Sequence, residues 1–458
     1  MNILSIDRKD VPTLIKNGKI AMCVVGGGYV GLPFAALYAD LGAKVFVCNR
    51  DQKKVDTTNA GKTYIYEFGL DELVKNAVTK GNLTATTDVE GAVAKSDVIF
   101  ITVGTPVKQD GFLDDSQVKD AAKRVGASMK KGSLIVLRST VNPGTTENIL
   151  LPILEESSGM SLGDFGLADA PERLQEGKAL EGLRTEATVV GGDKFHEKSA
   201  EITAGVFDTL NVPVSIVSYP TTSEFSKFVW NYLLDAAISN AQIIAQISEK
   251  IGVDFMEVRT TANMDNRIRM MVAGPGSGGS CFPKDVAAMF ALAKKVGIEK
   301  NSLRSVELVR VINGPVMAEH VVSLVESALE EKKIEMKNAE IGILGLAFKG
   351  ETDDTRESPA LKVVEILKSK CKSLSAYDPF VKSVKNSGNL KIADTWQDAL
   401  GNRDCCVILT DHKEFYKIDP EKIKKLLKNN CMVDSRHIIN PSVARKLFIY
   451  RGVGRGTR

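Results

Sequence analysis

The chain has 458 residues, room for two or three domains, with 43% hydrophobic and 26% charged residues and 60 Lys and Arg against 57 Asp and Glu. A net charge of +3 is too small to mark a nucleic-acid binder, and no apolar run reaches the roughly 18 residues that a membrane span needs. Seven cysteines without a CxxC pair, and four scattered histidines, argue against a disulfide framework and against a zinc site. The first 19 residues carry charges throughout and lack the apolar core of a signal peptide, so a cytoplasmic protein with reduced thiols is expected. At the other end Arg445, Lys446, Arg451, Arg455 and Arg458 read as a solvated basic tail.

Residues 20–25 form a short continuous apolar run, the pattern of a buried parallel strand. It leads into Gly26, Gly28 and Gly31, spaced GxGxxG, and then into a helical pattern over 32–39. In that strand-to-helix context the first glycine makes the turn, the second admits a pyrophosphate and the third lets helix pack on strand. Tyr29 and Val30 complete the cofactor-binding turn. A second strand is expected at 44–48, and the acidic residue that binds the adenosine ribose should follow about 20 residues after the glycines. Asn49-Arg50-Asp51 stands there instead. Asn49 can hydrogen-bond a hydroxyl without repelling a phosphate, Arg50 can pair with one, and Asp51 can take the acidic role from a shifted position. Both NAD and NADP are therefore compatible with this stretch.

Further strands are expected at 97–103, 133–137, 188–192 and 212–217. The turns after 103 and 137 place Thr105 and Thr140 at strand carboxyl ends, where an open α/β sheet binds its ligands. A long helix follows from Thr222, with Ser223 as a possible N-cap and Gly252 as its stop. Lys227 and Asn231 lie four apart, on one face of it. The loop 274–285 reads GPGSGGSCFPKD, and Pro283 fits the first turn of a helix over the residues after it. Cys281 then sits at a helix start, where the partial positive charge favours a thiolate. The competing reading is a packed, inert cysteine beside a glycine turn. Strand-like runs resume at 340–349, 373–378, 405–410 and 431–434, and the Glu- and Lys-rich segment 330–337 marks a boundary before them.

The expected fold class is α/β: two Rossmann-like, doubly wound domains joined by a long central helix. The divisions are 1–220 for dinucleotide binding, 221–330 for a central helical and catalytic region, and 331–458 for a second Rossmann-like domain.

Several strings together resemble the UDP-glucose/GDP-mannose dehydrogenase family from about residue 19 to 456. They are GGGYVGLP, Ser139-Thr140-Val141 with Gly144-Thr145, Pro171-Glu172, GGSCFPKD, Leu346-Ala347-Phe348-Lys349, TDDTRESPAL from Thr352, and Asp434-Ser435-Arg436. The resemblance implies oxidation of a nucleotide sugar's 6-hydroxyl to a carboxylate with two NAD. It implies Cys281 as the nucleophile that carries a thiohemiacetal and then a thioester, with Lys227 and Asn231 stabilising the oxyanion. Asp285 lies within reach of the cysteine and a hydrolytic water, and Thr140, Glu172 and Glu176 position that water or take its proton. Glu172, Lys227, Gly278, Lys349, Arg436 and Arg267 would contact substrate, and the loop glycines read as close approach to a sugar. A homodimer through the long helix is also implied.

UDP-glucose is the favoured sugar on GGSCFPKD and Glu176. Pro171-Glu172-Arg173, Asp235 and Ala237 look more like relatives that act on N-acetylated UDP-hexosamines, UDP-ManNAc or UDP-GlcNAc, and GDP-mannose is a further alternative. A two-electron dehydrogenase of the 6-phosphogluconate or β-hydroxyacid type shares the N-terminal domain and long helix but uses no cysteine. A nucleotide-sensing regulator would keep the fold yet have no need of the catalytic set.

Overall fold

Short apolar runs too brief to be helices become the strands of two sheets. The computed structural model describes residues 1–384 and 390–456, and the chain divides into two compact units, Met1–Val229 and Trp230–Arg458. In the first unit β1 (Ala21–Val25), β2 (Lys44–Cys48), β3 (Leu83–Thr86), β4 (Val98–Ile101), β5 (Leu134–Leu137), β6 (Gly166–Asp169), β7 (Thr188–Gly191) and β8 (Val214–Val217) form one sheet. Its order is β3-β2-β1-β4-β5-β6-β7-β8. All pairings are parallel except β6 with β7, which meet antiparallel at Asp169 and Gly191.

Most of β1, β4 and β5 is apolar because helices cover both faces, leaving no side to be polar. One face packs Phe34, Tyr38, Phe100 and Phe207 together, the other Ile99, Ile135, Val118 and Leu154. Arg138, immediately after β5, is buried with its guanidinium 4.9 Å from the Phe34 ring and 5.0 Å from the Phe207 ring. Burial depresses its pKa, and Glu172, Tyr38 and Asp169 oppose that.

The long helix runs Pro220–Ile251, beginning a little before the expected start. Gly252 ends it in a left-handed conformation, φ +80°, which glycine adopts without a Cβ penalty. Ser223 is inside the first turn and does not cap it: its hydroxyl donates to Asp169 Oδ2 and to the Pro220 carbonyl, 2.8 Å away.

In the second unit β9 (Glu340–Leu344), β10 (Ser373–Tyr377), β11 (Lys391–Ile392), β12 (Cys405–Ile408), β13 (Cys431–Asp434) and β14 (Ile449–Gly452) form a parallel sheet. Its order is β11-β10-β9-β12-β13-β14, the same winding as the first six strands of the other sheet.

The segment Lys300–Glu331 is helical throughout, and a window in it is long and apolar enough, by length and hydropathy, to cross a membrane. This revises the expectation that no segment reaches that threshold. Its apolar side, Met317, Val321, Val322, Val325 and Leu329, packs into the core against β13 and β14, as a covering helix does in an α/β domain. Near its middle a π turn, Ile312–Val316, accommodates Pro315, which has no N–H to give.

The basic tail is corrected in part, for Arg445 and Lys446 are exposed as expected. Arg455 binds Asp254 at 2.6 Å and is nearly buried, Arg451 on β14 binds Glu331 at 2.8 Å, and Arg445 donates to the Gly456 carbonyl. A charge cluster looks alike in sequence whether or not acids from remote helices meet it. Arg458 lies outside the described residues.

Candidate active site

Each glycine of the 26–31 turn has its own reason. Gly26 has φ +117°, and a Cβ there would stand 2.7 Å from the Thr102 carbonyl oxygen. A Cβ at Gly31 would strike the Gly26 carbonyl, so that glycine permits the helix Gly31–Asp40 to start against β1. A Cβ at Gly28 would meet nothing within 4 Å. Gly28 therefore faces open space at a helix N-terminus, which is the cradle a pyrophosphate requires. Tyr29 and Val30 lead directly into the helix, and Val30 already has helical angles.

The turn borders a cleft of about 250 Å³, lined also by Asn49, Arg50, Lys54, Thr102 and Gln117. Thr105 and Thr140 meet at the strand ends as expected, the Thr105 hydroxyl donating to the Thr140 carbonyl at 2.6 Å. Asn49 is committed to the fold: Nδ2 donates to the Gly27 carbonyl at 3.1 Å and to Tyr64 at 3.2 Å, and Oδ1 accepts from the Asp51 amide. Asp51 stands at the start of the next helix. Its carboxylate caps the helix Gln52–Asn59 by accepting from the Lys53 amide at 3.0 Å.

A turn of this build at the carboxyl edge of a parallel sheet receives a dinucleotide, and its protein is an NAD-dependent oxidoreductase.

In the same unit Lys227 Nζ lies 3.3 Å from Glu172 Oε1, and both side chains are almost wholly buried. The other Glu172 oxygen accepts from the Leu174 amide at 2.7 Å, while the Glu172 amide donates to the Arg138 carbonyl at 3.2 Å. Arg138 Nη1 also donates to the Ala170 carbonyl, so one buried guanidinium holds the backbone on which Glu172 sits. Nothing in the sequence pattern singled out Arg138, although a charge ending an all-apolar strand is a usable signal. Glu176 lies further along this loop and is half-buried. Glu67 fastens the loop's end by accepting from Gly177 and Ala179 at 2.9 and 2.7 Å.

In the second unit Cys281 is the N-cap position of the helix Phe282–Lys295, with Pro283 in its first turn. Asp285, one turn on, has no exposed surface. Its two oxygens are 2.5 Å from Asn231 Nδ2 and 2.5 Å from Lys284 Nζ. Both donors offset the cost of burying the carboxylate.

The glycines before Cys281 are explained by the protein itself rather than by room for a sugar. A Cβ at Gly276 would strike the Asn313 carbonyl, one at Gly278 the Glu357 carbonyl, and one at Gly279 would stand 2.8 Å from the Phe348 ring. A network unforeseen in the sequence fixes this loop. Buried Asp235 accepts from Ser277 Oγ, from Arg310 Nη1 at 2.9 Å and from Asn313 Nδ2 at 2.8 Å. Gln242 accepts from the Gly274 amide at 3.0 Å, and the Ser277 amide donates to the Asn313 carbonyl at 3.0 Å.

Phe348, against Gly279, carries Lys349 next to it, whose Nζ is 5.5 Å from the Phe348 ring. Arg436 reaches the same place, donating to the Leu409 and Phe348 carbonyls at 3.0 and 3.1 Å. Asn231, Asp285, Gly278, Lys349 and Arg436 thus gather around the cysteine loop within one unit. Arg267 is not brought there: it is largely exposed and paired with its near neighbour Asp265 at 2.5 Å.

Known proteins place the chain further. Family models for the UDP-glucose/GDP-mannose dehydrogenase family match residues 20–211 as the NAD binding domain, 221–313 as the central domain and 342–441 as the UDP binding domain. A UDP-glucose 6-dehydrogenase of Rhizobium meliloti is 34% identical over 95% of this chain and 99% of its own. A UDP-N-acetyl-D-mannosamine dehydrogenase of Pyrococcus horikoshii is 33% identical over 95% of this chain and 99% of its own. Among solved structures, the P. horikoshii UDP-D-ManNAc dehydrogenase matches with TM-score 0.85 and 32% identity over 96% of this chain and 100% of that one. A UDP-glucose dehydrogenase from Pyrobaculum islandicum matches with TM-score 0.84 and 31% identity over 95% of this chain and 98% of that one. The chain belongs to the UDP-glucose/GDP-mannose dehydrogenase family.

Proposed function

We propose that the chain oxidises the 6-hydroxyl of a UDP-sugar to the carboxylate in two two-electron steps, with UDP-glucose as the substrate. The observation that carries the reading is the wholly buried Asp285, one helical turn after Cys281 and held between Asn231 and Lys284. An inert cysteine has no need of a buried carboxylate fixed so close to it.

NAD, when bound over Gly28, takes up the two electrons of each oxidation. Cys281 Sγ adds to the aldehyde carbon, giving a thiohemiacetal that stays bound between the steps, and its oxidation leaves a thioester on the same sulfur. Water then attacks the thioester carbon, the C–S bond breaks, and the acid leaves with the thiol restored. Glu172, buried and oriented by the Leu174 amide, takes the water's proton, with Thr140 and Glu176 positioning that water. Lys227 supplies the positive charge that stabilises the developing oxyanion, with Asn231 as a second donor. Lys349 and Arg436 offer cationic donors to the diphosphate.

A UDP-N-acetylhexosamine is the second reading, favoured by a mannosamine-type relative as similar as the glucose-type ones. Steady turnover with UDP-glucose, UDP-ManNAc, UDP-GlcNAc and GDP-mannose separates these. Two equivalents of reduced cofactor per sugar support the four-electron reading and one equivalent sinks it. Cys281→Ser should abolish steady formation of the acid, whereas a two-electron enzyme would be little affected.

We propose a homodimer as well, on the exposed Leu233, Ile243, Ile247 and Ile251 of the long helix, and a cytoplasmic setting that keeps the thiols reduced. Sedimentation of Ile247→Asp should show a monomer if that helix pairs.

A further inference from the structure

We infer that Glu67 is a positioning residue for Glu172 and that, through Tyr64, it ties the order of the loop carrying Glu172 to occupancy of the dinucleotide turn. The inference rests on the reading of Glu172 as the group that takes the proton of the hydrolytic water. Residues 170–178, between β6 and the helix Ala179–Thr185, lie in neither helix nor strand, so their anchors set where Glu172 stands. At the near end the Ala170 amide donates to the Leu137 carbonyl at 2.8 Å, and Arg138 holds Ala170 by its guanidinium and Glu172 by its carbonyl. At the far end the anchor is a side chain remote in sequence. Glu67 accepts from the Gly177 amide on one carboxylate oxygen and from the Ala179 amide on the other, at 2.9 and 2.7 Å.

A carboxylate that is 7% exposed is a costly fastening, because it must be lifted out of water. Its place in the chain gives the reason. Tyr64, three residues before it, donates its hydroxyl to the Gly27 carbonyl inside the glycine turn and accepts from Asn49 Nδ2 at 3.2 Å. Ile65, between the two, is buried in the core of this unit, and the Thr63 amide donates to the Asp71 carboxylate at 3.2 Å. The segment is thus pinned along its length and transmits rather than absorbs a displacement. The Gly27 carbonyl and the Gly28 amide share one rigid peptide plane. A dinucleotide that takes the Gly28 amide therefore also steadies the carbonyl that Tyr64 binds. From there the path runs through Glu67 to the two amides that end the Glu172 loop. A site that must hold water back until its cofactor is in place gains from such a tie.

The first test needs no sugar. Amide hydrogen exchange of the full chain should slow about tenfold over residues 172–179 when NADH is bound. Tyr64→Phe, at saturating NADH, should lose most of that protection. The second test reads the chemistry. With UDP-sugar and NAD, Glu67→Ala should lower kcat about tenfold or more with little change in KM for NAD, and acid-quenched protein should carry the thioester on Cys281 by intact mass. Glu67→Gln, which keeps one acceptor, should fall between it and the wild type. Glu172→Gln should accumulate the same adduct while keeping the NADH-dependent protection, and its failure to accumulate it counts against the reading of Glu172 alone. Protection that is absent from the wild type, or that survives in Tyr64→Phe, overturns the tie to the cofactor turn. A Glu67→Ala variant that only lowers Tm, with wild-type kcat and no adduct, overturns the positioning role.

Discussion

The two sheets share a strand order but use their first turns in opposite ways. After β1 the middle glycine of the turn looks into open space, and the backbone itself forms the receiving surface. After β9 both glycines of the turn are pressed against protein: Gly345 on Thr410, and Gly350 on the Asp411 carbonyl. The long cationic side chains of Lys349 and Arg436 stand beside this second turn. One winding thus carries a glycine turn with an open side in one unit, and packed glycines beside two side-chain cations in the other. The sign that separates them is whether a missing Cβ leaves a void or prevents a clash.

Exchanging these roles by mutation breaks the comparison most strongly. Gly345→Ala combines φ +94° with a clash on Thr410, so thermal or denaturant unfolding should show a loss of about 4 kcal/mol or more. Gly28→Val should leave stability within about 0.5 kcal/mol and abolish dinucleotide binding in a fluorescence titration. If Gly28→Val unfolds the chain and Gly345→Ala does not, the distinction is lost.

Next is the support behind the cysteine loop. Asp235→Ala leaves Arg310 and Asn313 without their acceptor and should cost about 3 kcal/mol in denaturant unfolding. Alkylation of Cys281 in the native variant should change rate as well, which a remote stability loss alone would not produce.

A smaller effect follows pH. His437, half-buried beside Arg436, donates from Nε2 to the Ala273 carbonyl at 3.0 Å, and loss of solvent around the ring lowers its pKa from 6.5 to about 4. The unfolded chain therefore binds this proton more readily, and stability present above pH 6.5 is lost as pH falls towards 4. His437→Asn, tolerable at φ +57°, should flatten that decline by up to roughly 3 kcal/mol in unfolding measured across the window. Last, Lys349→Ala should weaken UDP binding about tenfold by calorimetry while leaving affinity for NADH unchanged.

Much of this was readable beforehand where one residue type has one dominant physical use. The β2 limits, the glycine turn, the long helix and its Gly252 stop all came from local pattern. Strands β3, β6 and β14 escaped because Thr84, Gly166 and Arg451 interrupt the apolar run, and only their neighbours in the sheet make them strands. The cysteine loop was located correctly but its glycines were misread, since a close approach looks the same in sequence whether sugar or backbone is on the other side. The Asp235 network joins the long helix, the loop and the helix Lys300–Val311, residues 42 to 78 apart along the chain, and no local window contains it.

The π turn at Ile312–Val316 gives the loop an unusual dependency. A π turn holds one residue more than the α-helical ladder around it, and this one presents the Asn313 carbonyl to the Ser277 amide. The placement of the cysteine loop is thus registered by a counting irregularity in a neighbouring helix. Deleting a single residue there would restore a regular ladder, rotate Asn313 away by about 100°, and unseat a loop whose own sequence had not changed.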